Sequence, residues 1–172
     1  ATVIGYLVSL SEEKRPSWAL EAAAAVMSAR LVVGGAGPLG DELAQRAEHL
    51  APGRIAMLGT VEDSAMFFHA IDVLVLPSRT EGMPGVLIEA ARCGVPTVAT
   101  DVGGVRDLVE ALGTGLVVPA NDLEEFIEAV ALLSADTVGG PPRSVDQERL
   151  SAFTFDAVAV TWSEVLVGVL GR

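Results

Sequence analysis

The chain has 172 residues, 51% of them hydrophobic, with a mean hydropathy of +0.48; this is enough for the core of one domain and argues against a disordered chain. A net charge of −12 argues against nucleic acid or an anionic membrane surface as partner, since either calls for a basic face. No apolar run reaches the roughly 18 residues of a membrane span, no signal peptide opens the chain, and a single cysteine, Cys93, leaves no internal disulfide and suits a reducing, cytoplasmic compartment.

Residues 3–8 predict a first strand, followed by a polar loop over 9–16. Residues 18–30 are alanine-rich, with Leu20, Ala23, Ala24 and Met27 at helical spacing, and predict a helix. A second strand over 31–33 is closed by the glycine-rich turn 34–38. A helix over 39–50, a short strand over 54–58 and a helix over 62–70 follow, with Gly59 as the turn between the last two. The unbroken apolar run Val73–Leu76 is the pattern of a parallel strand buried on both faces. Pro77 ends it, residues 78–82 form a polar loop, and a helix begins near Pro84, where proline is tolerated in the first turn. That helix stops at Cys93-Gly94, and Pro96 forbids its continuation. Residues 95–100 return as a strand, 105–110 as a short helix after Gly103-Gly104, and 116–118 as a last strand. Residues 122–134 close the series as a helix, with Asp122 near its cap.

Strands alternating with helices of this length predict an α/β fold: a Rossmann-like parallel sheet of about six strands with helices on both faces. Residues 1–136 form that domain, and residues 137–172 a linker and a C-terminal helical tail packing on it. In the tail Phe155, Val158, Trp162, Val165, Leu166 and Val169 make an apolar stripe at helical spacing. The chain enters its first strand directly at Ala1, which suggests a piece of something longer. Ligands of such sheets bind outside the carboxyl ends of the strands, here the loops 9–16, 34–38, 59–62, 77–85 and 101–104.

The loop before the central helix carries Glu81, and the helix itself carries Glu89, with seven residues between them. The first amides of this helix, those of Gly85, Val86 and Leu87, are expected to be unpaired at the positive end of the helix dipole, which suits an anion. Glu89 lies four residues beyond Gly85, about 6 Å along the axis, roughly the step from a pyrophosphate to its ribose. Carboxylates accept hydrogen bonds, so both glutamates suit sugar hydroxyls rather than phosphate. Lys14 is the only lysine beside ten arginines; in a strand-end loop of an acidic chain it is a candidate phosphate partner. Gly35, Gly37 and Gly40 match the dinucleotide-binding glycine spacing, but they follow the second strand and no acidic residue ends the next one. His49 and His69 have no metal-ligand spacing, no Asp-x-Asp pair suggests a metal-held nucleotide, and Cys93 reads as packing.

The stretch EGMPGVLIEAARCGVP resembles the E-x7-E signature of retaining glycosyltransferases of family 4, in the C-terminal, donor-binding domain of the GT-B fold. The resemblance extends from about Ile4 to Leu133, and a Gly-x-Gly-Pro turn of that family accounts for the glycines at 35 and 37. It implies transfer of a hexose from a UDP-, GDP- or ADP-sugar to an acceptor hydroxyl with retention, the acceptor being held by an N-terminal domain absent from this chain. It implies that Glu81 holds the transferred sugar and Glu89 the ribose. Lys14 and the amides of Val86 and Leu87 then stabilise charge on the leaving diphosphate, without cofactor or metal. The base falls near Gly59, Thr60 and Val61. The family's opening Gly-Arg is replaced here by Val8-Ser9, and the glycine after its lysine by Arg15, a candidate substitute for the missing cation. That departure supports an alternative: a non-catalytic nucleotide-binding module with a degenerate phosphate site. A third reading, another GT-B-like enzyme such as an epimerase or a phosphorylase, has only Lys14 to offer where a phosphorylase needs a cofactor lysine.

Overall fold

The computed structural model describes residues 1–137 and 147–154. Six parallel strands form one sheet: β1 (Thr2–Leu7), β2 (Ala29–Gly34), β3 (Ile55–Gly59), β4 (Val73–Leu76), β5 (Thr97–Thr100) and β6 (Gly115–Val118). Their order across the sheet is β3-β2-β1-β4-β5-β6. The chain therefore winds outwards in one direction from β1 and in the other from β4, so the strand order reverses between these two neighbours. The loops that leave them diverge and open a crevice at their carboxyl ends, the usual ligand position in doubly wound sheets.

Helices cover both faces. On one side α1 (Pro16–Ala25), α2 (Gly40–Leu50) and α6 (Leu123–Thr137) bury Leu20, Leu43, Phe126 and Val130 against Ile4, Leu31, Val73 and Val98. On the other, α3 (Ser64–His69), α4 (Gly85–Arg92) and α5 (Val105–Leu112) bury Phe67, Leu87 and Leu108 against Leu74, Leu76 and Ala99. Every residue of β4 is buried, as its unbroken apolar run predicts. A short α7 (Gln147–Ser151) adds Leu150 to the second cluster. The expected tail stripe from Phe155 onwards lies outside the described residues, as do residues 138–146 of the expected linker.

One element boundary departs clearly from the sequence expectation. The first helix ends at Ala25, not Arg30, because Ala29 and Arg30 pair with Thr2 and Val3 as the first rungs of β2 on β1. The early stop is stabilised from a distance. The Arg54 guanidinium donates to the carbonyls of Ala23 at 2.8 Å, Val26 at 3.2 Å and Ala29 at 3.1 Å through one nitrogen, and of Ala24 at 3.2 Å through the other. A cation on the last carbonyls satisfies acceptors that the helix leaves open and opposes the negative dipole end.

Candidate functional site

Tyr6 is fully buried in β1, and its hydroxyl faces the carbonyls of Ser9 at 3.1 Å and Lys14 at 3.3 Å. It ties both ends of the following loop to the sheet. Burial, and secondarily the charge of Glu81, pushes its phenol far above the ordinary tyrosine range. The loop closes in a single 3-10 turn, Glu12–Lys14, followed by Arg15 at φ 44°.

From that turn Lys14 Nζ reaches Glu81 Oε1 at 2.8 Å and the Thr80 carbonyl at 3.5 Å, joining the β1–α1 and β4–α4 loops across the crevice. The backbones are joined too, since the Arg79 amide donates to the Glu13 carbonyl at 2.7 Å. The same Glu81 oxygen accepts from the fully buried Ser78 hydroxyl at 2.6 Å. Beneath them Thr100, also fully buried, donates to the Ser78 carbonyl at 2.6 Å. The β5–α5 loop braces the backbone of Glu81. Gly103, at φ 53°, passes so close that a Cβ there would lie 1.8 Å from the Glu81 carbonyl, and the Gly104 amide donates to the Gly82 carbonyl at 3.1 Å.

Helix α4 starts behind Pro84, which supplies no side-chain cap. The amides of Gly85 and Val86 have no hydrogen-bond partner among the described residues, but the Leu87 amide donates to the Pro84 carbonyl at 3.1 Å. This corrects the expectation for Leu87: the first turn closes tightly on its cap residue and leaves two free amides rather than three. Glu89 is exposed one turn further on, and its carboxylate makes no hydrogen bond or ion pair among the described residues. Gly59 ends β3 and Thr60 and Val61 follow it, three strand spacings from β4, about 14 Å at the usual 4.7–4.9 Å each. Gly59 and Thr60 are exposed, Val61 packs partly into the second core cluster, and the Gly59 carbonyl accepts from the Gly35 amide at 2.7 Å.

Arg15 also needs correction. Its guanidinium is not offered to the crevice. It donates to the Ala120 carbonyl at 2.6 Å, stacks 4.5 Å from the centroid of the Trp18 ring, and leaves the residue only 6% exposed. Burial, and next the charge of Arg79, holds its pKa below the ordinary guanidinium value. The left-handed backbone at Arg15 turns the side chain away from Lys14, so the two cations do not act on one spot. The glycine motif is explained by packing. A Cβ on Gly35, at φ 127°, would lie 2.1 Å from the Val8 carbonyl, so the motif lets two strand-end loops touch.

Lys14, Glu81, Gly85 and Val86 are thus gathered around one crevice, with Glu89 on the next turn of α4. Sequence reasoning missed Tyr6, Ser78, Thr100 and Gly103. The Ser78-x-x-Glu81 spacing, that of a hydroxyl and carboxylate pairing at a chain reversal, was the one local signal for any of them.

Several known proteins resemble this chain in sequence or in fold. A D-inositol 3-phosphate glycosyltransferase from Mycobacterium marinum is 32% identical over 146 residues, 80% of this chain and 31% of its own length. The putative glycosyltransferase EpsF from Bacillus subtilis is 31% identical over 161 residues, 90% of this chain and 41% of its own. The chain therefore spans about a third to two-fifths of the length of these two curated relatives. Among solved structures, sucrose-phosphate synthase from Thermosynechococcus elongatus superposes with a TM-score of 0.80 at 26% identity, covering 99% of this chain and 46% of that one. HepE from Anabaena, solved with UDP-glucose, gives 0.75 at 23% identity over 96% of this chain and 48% of its own, a likeness of fold. Over residues 1–136 the sequence matches the family described as glycosyl transferases group 1, and the chain belongs to that family.

Proposed function

We propose that this chain is the donor-binding half of a retaining glycosyltransferase of family 4, which moves a hexose from a nucleotide-sugar to an acceptor hydroxyl. The observation that carries the reading is the Lys14–Glu81 pair at 2.8 Å, set at the switch point between β1 and β4 beside the free amides of α4. In this reading the diphosphate lies against Gly85 and Val86, with Lys14 as its cation. Charge building on the leaving diphosphate is then met by fixed donors, with no cofactor or metal assigned a part. Glu81 accepts from hydroxyls of the transferred sugar, Glu89 from the ribose, and the base lies at Gly59, Thr60 and Val61. The acceptor is held by an N-terminal domain outside this chain. UDP is the first donor nucleotide to try, since relatives of this fold bind it.

A non-catalytic nucleotide-binding module is the second reading. It is favoured by Ser9, which stands where the family carries an arginine and whose hydroxyl lies 3.4 Å from that of Ser11. Thermal unfolding with UDP, GDP, ADP and their hexose conjugates tests the shared claim of donor binding. A ligand at a hundred times its dissociation constant should add about 2.7 kcal/mol of stability. No shift with any of them would remove both readings, and sugar transfer by the full-length protein separates the two.

A further inference from the structure

Glu81 is held in a way that its proposed role does not by itself require. Two donors converge on Oε1, Lys14 Nζ at 2.8 Å and the Ser78 hydroxyl at 2.6 Å, while Oε2 has no hydrogen-bond partner among the described residues. The glutamate side chain is 8% exposed, so its free oxygen is presented through a narrow opening rather than swept through solvent. Ser78 is fully buried, and its carbonyl is fixed by Thr100, which is fully buried on β5. The line from Thr100 through Ser78 to Glu81 therefore runs from the rigid sheet to the carboxylate.

Left to itself, a glutamate in a loop samples many rotamers, and ordering it on ligand binding costs conformational entropy. A serine that occupies one oxygen removes that freedom in advance and chooses which oxygen stays open. We propose that Ser78 is a positioning residue for the donor sugar: it locks Glu81 through Oε1 and leaves Oε2 as the acceptor for a sugar hydroxyl. The assignment rests on the donor-site reading above. Ser78 does not touch the ligand, and Thr100 supports it at one further remove.

The experiment is titration calorimetry of the 172-residue chain with UDP and with UDP-glucose, or with the matching GDP or ADP pair if the thermal screen selects one. Ser78→Ala should leave the affinity for the plain nucleotide within about twofold and weaken the nucleotide-sugar roughly tenfold, the scale of one lost hydrogen bond to a charged group. In a Glu81→Ala background, Ser78→Ala should cause no further loss, because its only route to the sugar has been removed. Equal weakening of both ligands, no effect on either, or additive losses in the double variant would overturn the assignment while the donor-site reading stands. If wild-type chain binds none of the nucleotides or their sugars, the donor-site reading fails and this assignment fails with it. Should Ser78→Ala not fold, Ser78→Cys, a weak donor of similar shape, is measured in its place and read by the same outcomes.

Discussion

Lys14 Nζ sits 2.8 Å from Glu81 Oε1, and the two side chains are 20% and 8% exposed. The sole lysine of a chain with net charge −12 is thus paired with the carboxylate proposed to face the sugar. The pair spans two loops that depart in opposite directions from neighbouring strands, so it also fixes the width of the crevice. Each partner shields the other's charge in a partly buried place, and loss of either leaves an uncompensated one. Their functions are consequently coupled, which the sequence alone presents as two separate residues.

Removing the lysine tests its assignment to phosphate. Lys14→Ala should weaken a nucleoside diphosphate by on the order of 1.5–3 kcal/mol and leave the free nucleoside nearly unchanged. Because of the ion pair, Lys14→Ala and Glu81→Gln should be non-additive for the nucleotide-sugar. Competition binding with nucleoside, diphosphate and sugar conjugate checks both statements, and equal loss for nucleoside and diphosphate would sink the phosphate role.

The two glutamates should separate by ligand part. Glu89→Gln is expected to weaken nucleotide and nucleotide-sugar alike, whereas Glu81→Gln spares the plain nucleotide and harms the sugar conjugate. Their placement on opposite sides of the α4 N-terminus motivates this. Calorimetry giving the reverse pattern would mean that the donor lies the other way round.

Tyr6 is the only tyrosine, so tyrosinate absorbance reports it alone. Its folded pKa is raised above the ordinary 10.0, chiefly by burial. Above about pH 10 the unfolded chain therefore releases a proton that the folded chain keeps. The stability involved is complete below that pH and falls as pH rises further. Absorbance should rise near pH 10.0 in the unfolded chain and at distinctly higher pH in the native one. Tyr6→Phe should flatten the alkaline fall in stability measured by urea titration.

At Arg15 two effects oppose each other. Glycine would relieve a left-handed backbone by roughly 1 kcal/mol, while loss of a charged hydrogen bond costs about 1.5–3 kcal/mol. Arg15→Gly should therefore destabilise by about 1 kcal/mol, and Arg15→Ala by more, since it keeps the strain and loses the same contacts. Nucleotide affinity of the folded variants should stay within about twofold, because the guanidinium faces Ala120 and Trp18. A tenfold loss would restore Arg15 to the donor site.

The chain alone should bind donor without transferring sugar. Holding donor and acceptor in near-attack geometry is worth roughly 7–11 kcal/mol when well arranged, and the acceptor half is assigned to another domain. Assay of the isolated chain with a panel of acceptors checks this; robust turnover would show it to be a complete enzyme.

What the sequence determined by itself is what short-range chemistry controls. Continuous apolar runs such as Val73–Leu76 mark strands buried on both faces, and Pro84, Gly94 and Pro96 mark where α4 can begin and must end. Glu81, Glu89 and Lys14 stood out because a carboxylate pair across a loop–helix junction and a lone lysine are local facts. Tertiary structure decided the rest, since it depends on contacts between residues far apart in the chain. Arg54 stabilises the end of α1 from 30 and 31 residues away in sequence, which an alanine-rich helix pattern cannot announce. Arg15 and Lys14 are adjacent cations with equal claims on a phosphate, yet a left-handed backbone sends one to Trp18 and the other to Glu81. Ser78 becomes meaningful only when β5 brings Thr100 beneath it, 22 residues away in sequence. Periodicity finds the faces of strands and helices; which oxygen of Glu81 is held and which is left open is set by packing across the sheet.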